Sequence, residues 1–347
     1  MDVKKLVKKE VRSLQAYNAK EIPCRAKLDA NESPFGFDID LKALESIRTN
    51  RYPDPEAKTL KKLLAKDYRV DSSNILQGNG SDELIYYLIT TFGGPVLYPV
   101  PTFSMYGIIA QALGEKGVEI PLDGDFDLDA DRMSKAIRKE KPKLVFLSSP
   151  NNPTGNCFSA GRILKIVEAS PGLVVVDEAY QPFAGGRGFL PMLKDYENLL
   201  IMRTLSKIGL AALRLGFLVA DARIIAEINK VRLPFNVNSF SQTMAVKALK
   251  EKKVLRSFIK NIVSERERLL KEMNEIAGTS PFPSEANFVL FKVKDPSGLH
   301  NSLLNKGILV RNIKDSVPGC LRVTIGTREE NTAFLTELKR ILERRRF

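Results

Sequence analysis

Histidine is almost absent: of 347 residues only His300 carries an imidazole. That excludes an HExxH zinc site, which needs two histidines, and any Ser-His-Asp triad would have to use His300 itself. The residue lies in Leu299-His300-Asn301-Ser302-Leu303-Leu304, an amphipathic pattern in which a surface position is expected. Cysteine is nearly as scarce. Cys24, Cys157 and Cys320 are odd in number, widely spaced and form no CxxC pair. This argues for a reducing compartment and against a disulfide framework or a metal site. Long apolar runs are missing too. Nothing approaches the roughly 20 residues of a membrane span, and Met1-Asp2-Val3-Lys4-Lys5 lacks the apolar core of a signal peptide. A cytoplasmic protein without membrane contact is the expectation. No internal repeat or low-complexity segment is evident.

What is present fits a soluble globular protein of two domains. The length exceeds the usual limit of a single core, and 44% hydrophobic with 27% charged residues is an ordinary globular composition. The net charge of +13 raises nucleic acid as a partner. However, basic residues alternate with acidic ones, as from Lys135 to Lys141, and only Lys339-Arg340 with Arg344-Arg345-Arg346 forms a dense cluster. Mixed charge of this kind is a solvated face, and no zinc-finger, RNP or basic-zipper pattern accompanies it. No nucleic-acid partner is expected; a positive field also favours anionic small molecules.

The stretch that organises the chain is Thr204 to Gly216. It lies between two apolar runs, Leu199-Leu200-Ile201-Met202 and Phe217-Leu218-Val219-Ala220. An ammonium such as Lys207 is costly to place between buried strands unless it is paired or chemically modified, and covalent attachment to an aldehyde is one solution. Ser206 and Arg214 beside it suit a phosphate, by hydroxyl donation and a bidentate fork.

Apolar runs and helical patterns alternate from Asn74 onward: Ile75 to Gln77, Val96 to Tyr98, Lys143 to Ser148, Gly172 to Val176 and Leu199 to Met202. Such continuous runs separated by helices predict a largely parallel sheet covered on both faces, with ligands at the carboxyl ends of the strands. Gly78-Asn-Gly-Ser-Asp-Glu83 follows the first run. Its glycines would let an anion approach the first turn of a helix, with Ser81 or Asp82 as the expected cap. Because Glu83 stands where a dinucleotide fingerprint needs a third glycine, one phosphate fits better than a pyrophosphate. Helices are predicted over Leu41–Arg48, Lys58–Tyr68, Leu84–Thr91, Ala160–Glu168 and Asn331–Leu342. A long helical region is expected from Ser241 to Ile276.

Asn152-Pro-Thr-Gly155, Asp177-Glu-Ala-Tyr180 and Ser206-Lys207 with Arg214 occur in this order at strand ends. Together they resemble the fold-type I pyridoxal-phosphate aminotransferases over nearly the whole chain. Leu28-Asp-Ala-Asn-Glu-Ser-Pro34, Arg51-Tyr-Pro-Asp54, Gly78 to Glu83, Arg232-Leu-Pro-Phe-Asn-Val-Asn238 and Leu321 to Glu330 are similar to the branch that acts on histidinol phosphate. The resemblance implies an α/β fold with a large domain, a mostly parallel sheet flanked by helices, and a smaller α/β domain. The expected division is 1–45 for an N-terminal arm with part of the small domain, 46–238 for the cofactor domain and 239–347 for the small domain.

By that resemblance Lys207 would bind the aldehyde of pyridoxal 5′-phosphate and carry the proton, Asp177 would pair with the ring nitrogen, and Asn152 and Tyr180 would donate to the ring hydroxyl. Phe103 would stack on the ring, where the family commonly has tyrosine. Ser81, Asp82, Ser206 and Arg214 would hold the phosphate, with Tyr52 from a partner subunit, which implies a homodimer. Arg322 would take the substrate carboxylate, and Arg311, with a lesser part for Arg322, would serve the phosphorylated substrate together with Asn31 and Tyr17. Histidinol phosphate and glutamate/2-oxoglutarate are the implied substrates. Threonine-phosphate decarboxylation and aromatic amino-acid transamination are the alternatives on this fold; a nucleic-acid-binding protein of the same fold would lack the chemistry.

Overall fold

In the computed structural model, which describes residues 1–16, 22–39 and 41–344, the apolar runs assemble into two sheets. The first strand, β1 (Ala26–Leu28), belongs to the smaller sheet. The larger sheet holds β2 (Ile75–Asn79), β3 (Val96–Val100), β4 (Gly117–Pro121) and β5 (Leu144–Ser148). It continues with β6 (Leu173–Asp177), β7 (Leu199–Thr204) and β8 (Leu215–Val219). The order across it is β2-β8-β7-β6-β5-β3-β4. Strands β7, β6, β5, β3 and β4 run parallel, whereas β8 is antiparallel to both β7 and β2. The reversal has a length argument: a parallel crossover needs about a dozen residues or more, and the connection 205–214 has no room for a full covering helix. The chain therefore doubles back, and that short return carries Ser206, Lys207 and Arg214.

The central strands are continuous apolar runs because both faces are covered. Phe146, Val175, Leu200 and Met202 pack into one core, and Val145, Val174, Val176 and Ile201 into the other. Alternate side chains along a strand point to opposite faces, so a strand buried on both sides cannot alternate in polarity. Edge strand β4, with no buried residue, was not legible as a strand. The helix Ala130–Glu140 escaped too, since among its charged residues only Met133, Ser134 and Ile137 are buried.

The smaller sheet joins β1 to β9 (Ser280–Pro281), β10 (Phe288–Lys292), β11 (Ile308–Asn312) and β12 (Cys320–Thr324), in the order β1-β11-β12-β10-β9. Strand β1 pairs parallel with β11, so the loop after it, from Asp29 to Gly36, is fastened beside β12 and the larger sheet.

Three local expectations are corrected. The helix expected over 41–48 is the single turn Leu41–Leu44. The helical region 241–276 is two helices, Ser239–Lys250 and Lys252–Asn274, broken where Glu251 leaves helical geometry at φ −83°, ψ 53°. Neither Ser81 nor Asp82 caps its helix: Gly80, at φ 85°, is the cap residue, and both lie in the first turn of Ser81–Phe92. Among the described residues no helix is long and apolar enough to cross a membrane.

Candidate active site

The loops leaving the carboxyl ends of the parallel strands converge, as the doubly covered sheet requires. Ser81, Asp82, Phe103, Asn152, Asp177, Tyr180, Ser206, Lys207 and Arg214, all expected from the sequence, line one cavity. Ser148, Ala179 and Thr204 complete its wall.

One end of the cavity is built for an anion. The first backbone N–H groups of a helix have no partner within it, and in Ser81–Phe92 they belong to Ser81 and Asp82. Two glycines let the surroundings close on this helix end. A side chain on Gly80 would come within 2.7 Å of Arg214 Nη2, and one on Gly216 within 2.8 Å of the Ser81 nitrogen. Arg214 Nη1 donates to Ser206 Oγ at 3.4 Å, and Nη2 reaches Asp82 Oδ2 at 3.3 Å. Thr204 Oγ1 donates to Ser206 Oγ at 3.0 Å and fixes that hydroxyl. Glu83, the residue that spoils the dinucleotide fingerprint, accepts from the Asn79 N–H and from Asn236 Nδ2, both at 2.6 Å. Its carboxylate is thereby tied to the loop's scaffold.

Asp177 ends β6 and is buried. Its Oδ1 accepts from the Ala179 N–H at 3.0 Å and its Oδ2 from the Tyr106 hydroxyl at 2.7 Å. Burial pushes its pKa up to about 6, while the Tyr106 and Ala179 hydrogen bonds pull the other way; Asp82 and Glu178 add to the rise. Lys207 lies in the turn after β7, with Nζ 5.9 Å from the centroid of the Tyr180 ring. Among the described residues its amine has no hydrogen bond or ion pair, and it lines the same cavity as the buried carboxylate. The Tyr180 hydroxyl accepts from Asn31 Nδ2 at 3.0 Å, and its ring packs edge-on against Phe288.

The two arginines expected at the substrate lie on the smaller sheet, and neither lines this cavity. Arg322 on β12 donates through Nη1 to Asn152 Oδ1 and through Nη2 to the Asp29 carbonyl at 2.8 Å, with its guanidinium over the Phe288 ring. Arg311 on β11 is exposed and sits directly opposite Arg322 in the antiparallel register. Asn31, expected at the substrate, is buried beside Tyr180. Its side-chain amide serves Tyr180, its N–H donates to Thr324 Oγ1, and its carbonyl accepts from Asn287 Nδ2. Tyr52 does not enter the cavity; it is 81% exposed and stacks on Phe235 at 4.5 Å. Tyr17 lies outside the described residues.

Tyr106 is the residue that sequence reasoning passed over. A signal existed: it follows Phe103 by three positions as the helix Met105–Leu113 begins, a spacing that brings side chains to one face.

The strand order, with its single reversed strand following the lysine turn, places the cavity in the fold-type I class of pyridoxal-phosphate transferases. Within it the chain belongs to the class I and II aminotransferase family, whose pattern matches residues 15–338. Among relatives, the histidinol-phosphate aminotransferase of Aquifex aeolicus is 44% identical, covering 96% of this chain and 97% of its own. The crystal structure of the Clostridium acetobutylicum histidinol-phosphate aminotransferase superposes with a TM-score of 0.85 at 26% identity, covering 92% of this chain and 99% of that one. The Sinorhizobium meliloti enzyme, solved in complex with pyridoxal-5′-phosphate, gives 0.86 at 25% identity and 97% coverage of both chains. The residues here fit that cofactor. The glycine-cleared cup at Ser81 and Arg214 suits a phosphate, the unpaired Lys207 amine suits an aldehyde, and buried Asp177 suits a protonated ring nitrogen.

Proposed function

We propose that this chain transfers an amino group between L-histidinol phosphate and 2-oxoglutarate, giving imidazole-acetol phosphate and glutamate, and that it runs from glutamate in histidine synthesis. Pyridoxal 5′-phosphate is its cofactor. The observation that carries the substrate reading is the cross-strand pair Arg311 and Arg322. Like charges directly opposite on neighbouring strands destabilise a sheet, and an anion between the two guanidinium groups offsets that repulsion. The names of the relatives support the same substrate.

When bound, the cofactor supplies an aldehyde that takes up the amino group and a protonated ring that accepts electrons from the substrate Cα. The protein supplies the rest. Lys207 would hold the cofactor through its amine and, when free, would take the proton from the substrate Cα and carry it to the far side of the substrate nitrogen. Asp177, fixed by Tyr106 and Ala179, pairs with the ring nitrogen as a carboxylate. Tyr180, whose hydroxyl accepts from Asn31 and so keeps its own proton free to donate, would serve the ring oxygen together with Asn152. The Ser81 and Asp82 amides, Ser206 and Arg214 would hold the phosphate, and Phe103 would cover the ring; all of them line the cavity. Arg322 binds the carboxylate of the glutamate half-reaction, and Arg311 with Arg322 binds the phosphate of the other.

A homodimer completes the site. Tyr52 points away from its own cavity, and Leu41, Tyr52, Leu233, Phe235 and Phe240 are exposed apolar side chains suited to a partner subunit. The reading includes Tyr52 reaching the partner's phosphate, and a cytoplasmic protein without nucleic-acid or membrane partners.

A single half-reaction tests the assignment. L-histidinol phosphate added without keto acid should convert the cofactor from its aldehyde to its amine form by absorbance, and 2-oxoglutarate should reverse it. A yellow protein that ignores histidinol phosphate but responds to an aromatic amino acid would move the substrate assignment. Carbon dioxide release from threonine phosphate would replace transamination with decarboxylation.

A further inference from the structure

Tyr106 is wholly buried between the pieces that the cofactor ring would touch. Its ring stacks on Phe146 at 4.8 Å and meets Phe103 edge-on at 5.6 Å, while its hydroxyl donates to Asp177 Oδ2 at 2.7 Å. For packing alone a phenylalanine would serve, since a buried hydroxyl contributes only when it is hydrogen-bonded. The hydroxyl therefore has a use at Asp177. A carboxylate has about four acceptor positions. Tyr106 takes one on Oδ2 and the Ala179 N–H one on Oδ1, which fixes the carboxylate plane from two sides and leaves acceptor positions facing the cavity. Burial pushes the Tyr106 phenol well above its ordinary range, so it stays protonated and always donates.

We infer that Tyr106 is a positioning residue for the transamination, holding Asp177 ionised and oriented toward the cofactor's ring nitrogen. The inference rests on the proposed cofactor reading. The charged and titratable groups around Asp177 are few. Asp82 comes from the helix Ser81–Phe92, Tyr180 from the loop after β6, and Lys207 and Arg214 from the β7–β8 return. Glu178, next in sequence, is turned away into a pair with Arg203. Of the side chains here, Tyr106 is the one whose donation favours the carboxylate by direct hydrogen bonding.

The test uses Tyr106→Phe, which keeps the ring and removes only the hydroxyl, with Asp177→Asn and wild type beside it. Pyridoxal phosphate is stripped from each, and its dissociation constant is measured from pH 5 to 8.5. Loss of a hydrogen bond to a charged group should weaken binding at neutral pH by about tenfold or more and move the acid-side loss of affinity upward by about one pH unit. The same upward movement should appear in the pH profile of the histidinol-phosphate half-reaction, while the cofactor affinity of Asp177→Asn shows no acid limb. A Tyr106→Phe profile superimposable on wild type, with equal affinity, would overturn the inference and leave Tyr106 as packing. Wild-type protein that takes up no pyridoxal phosphate would overturn the cofactor reading itself, and this inference with it.

Discussion

Arg322 Nη1 donates to Asn152 Oδ1, joining two residues 170 positions apart and tying β12 of the smaller sheet to the loop after β5 of the larger one. The bond holds a cation against Asn152, which lines the cavity, with its guanidinium already oriented by Asp29 and the Phe288 ring. An orientation fixed in advance lowers the cost of binding a carboxylate.

Arg322→Lys should therefore fail as a conservative change, because an ammonium cannot reproduce the planar fork. The expected outcome is a fall of about 100-fold in kcat/KM for glutamate, on the order of 2.7 kcal/mol of transition-state binding. Cofactor affinity should stay near that of wild type. Steady-state kinetics with a cofactor titration checks both; an unchanged glutamate response would remove Arg322 from the donor site.

Arg311→Ala separates the phosphate from the rest of the substrate. Loss of one charge-assisted contact should raise KM for histidinol phosphate by about 10- to 100-fold. Glutamate kinetics should change far less, and the sheet should gain slightly in stability as the Arg311–Arg322 repulsion disappears. Equal losses for both substrates would place Arg311 elsewhere in the mechanism.

Lys207→Ala should retain the fold and bind pyridoxal phosphate only weakly and reversibly, with no turnover, since the amine is both the covalent anchor and the proton carrier. Absorbance, mass of the borohydride-treated protein and activity report on the three properties. Any retained transamination contradicts the assigned role.

Asp177→Asn should make the cofactor-free protein more stable at neutral pH while abolishing function. The sign follows from the pKa of about 6, raised from 3.8 by burial. Between those values the folded protein still binds a proton that the unfolded chain has released. Stability therefore falls as pH rises through about 6, and an uncharged amide escapes that loss. The difference is on the order of 2–3 kcal/mol. Melting curves of the stripped proteins at pH 4.5 and 7.5 should show the variant's advantage growing toward the higher pH.

Much of the site was legible because its motifs are local. A strand that is apolar throughout announces burial on both faces, and the polar residues that end it must then lie at the sheet's edge. On that reasoning Ser81, Asn152, Asp177 and Lys207 come together before any coordinate is known, and they do line one cavity. Patterns failed where burial was slight. Edge strand β4 and the helix Ala130–Glu140 carry little apolar signal, and the break at Glu251 interrupts an unbroken helical pattern without proline or glycine.

The sequence by itself thus determined the class of fold and marked the candidate lysine, carboxylate and anion loop, because each is written in consecutive residues whose polarity and turn chemistry act locally. Only the tertiary structure decided which side chains meet across the chain. Asp177 finds Tyr106 71 positions away, Tyr180 finds Asn31 149 away, and Arg311 faces Arg322 through strand register. A shift of one residue in that register would turn every side chain to the opposite face. Such pairings are set by packing the whole core at once, and no single segment encodes them.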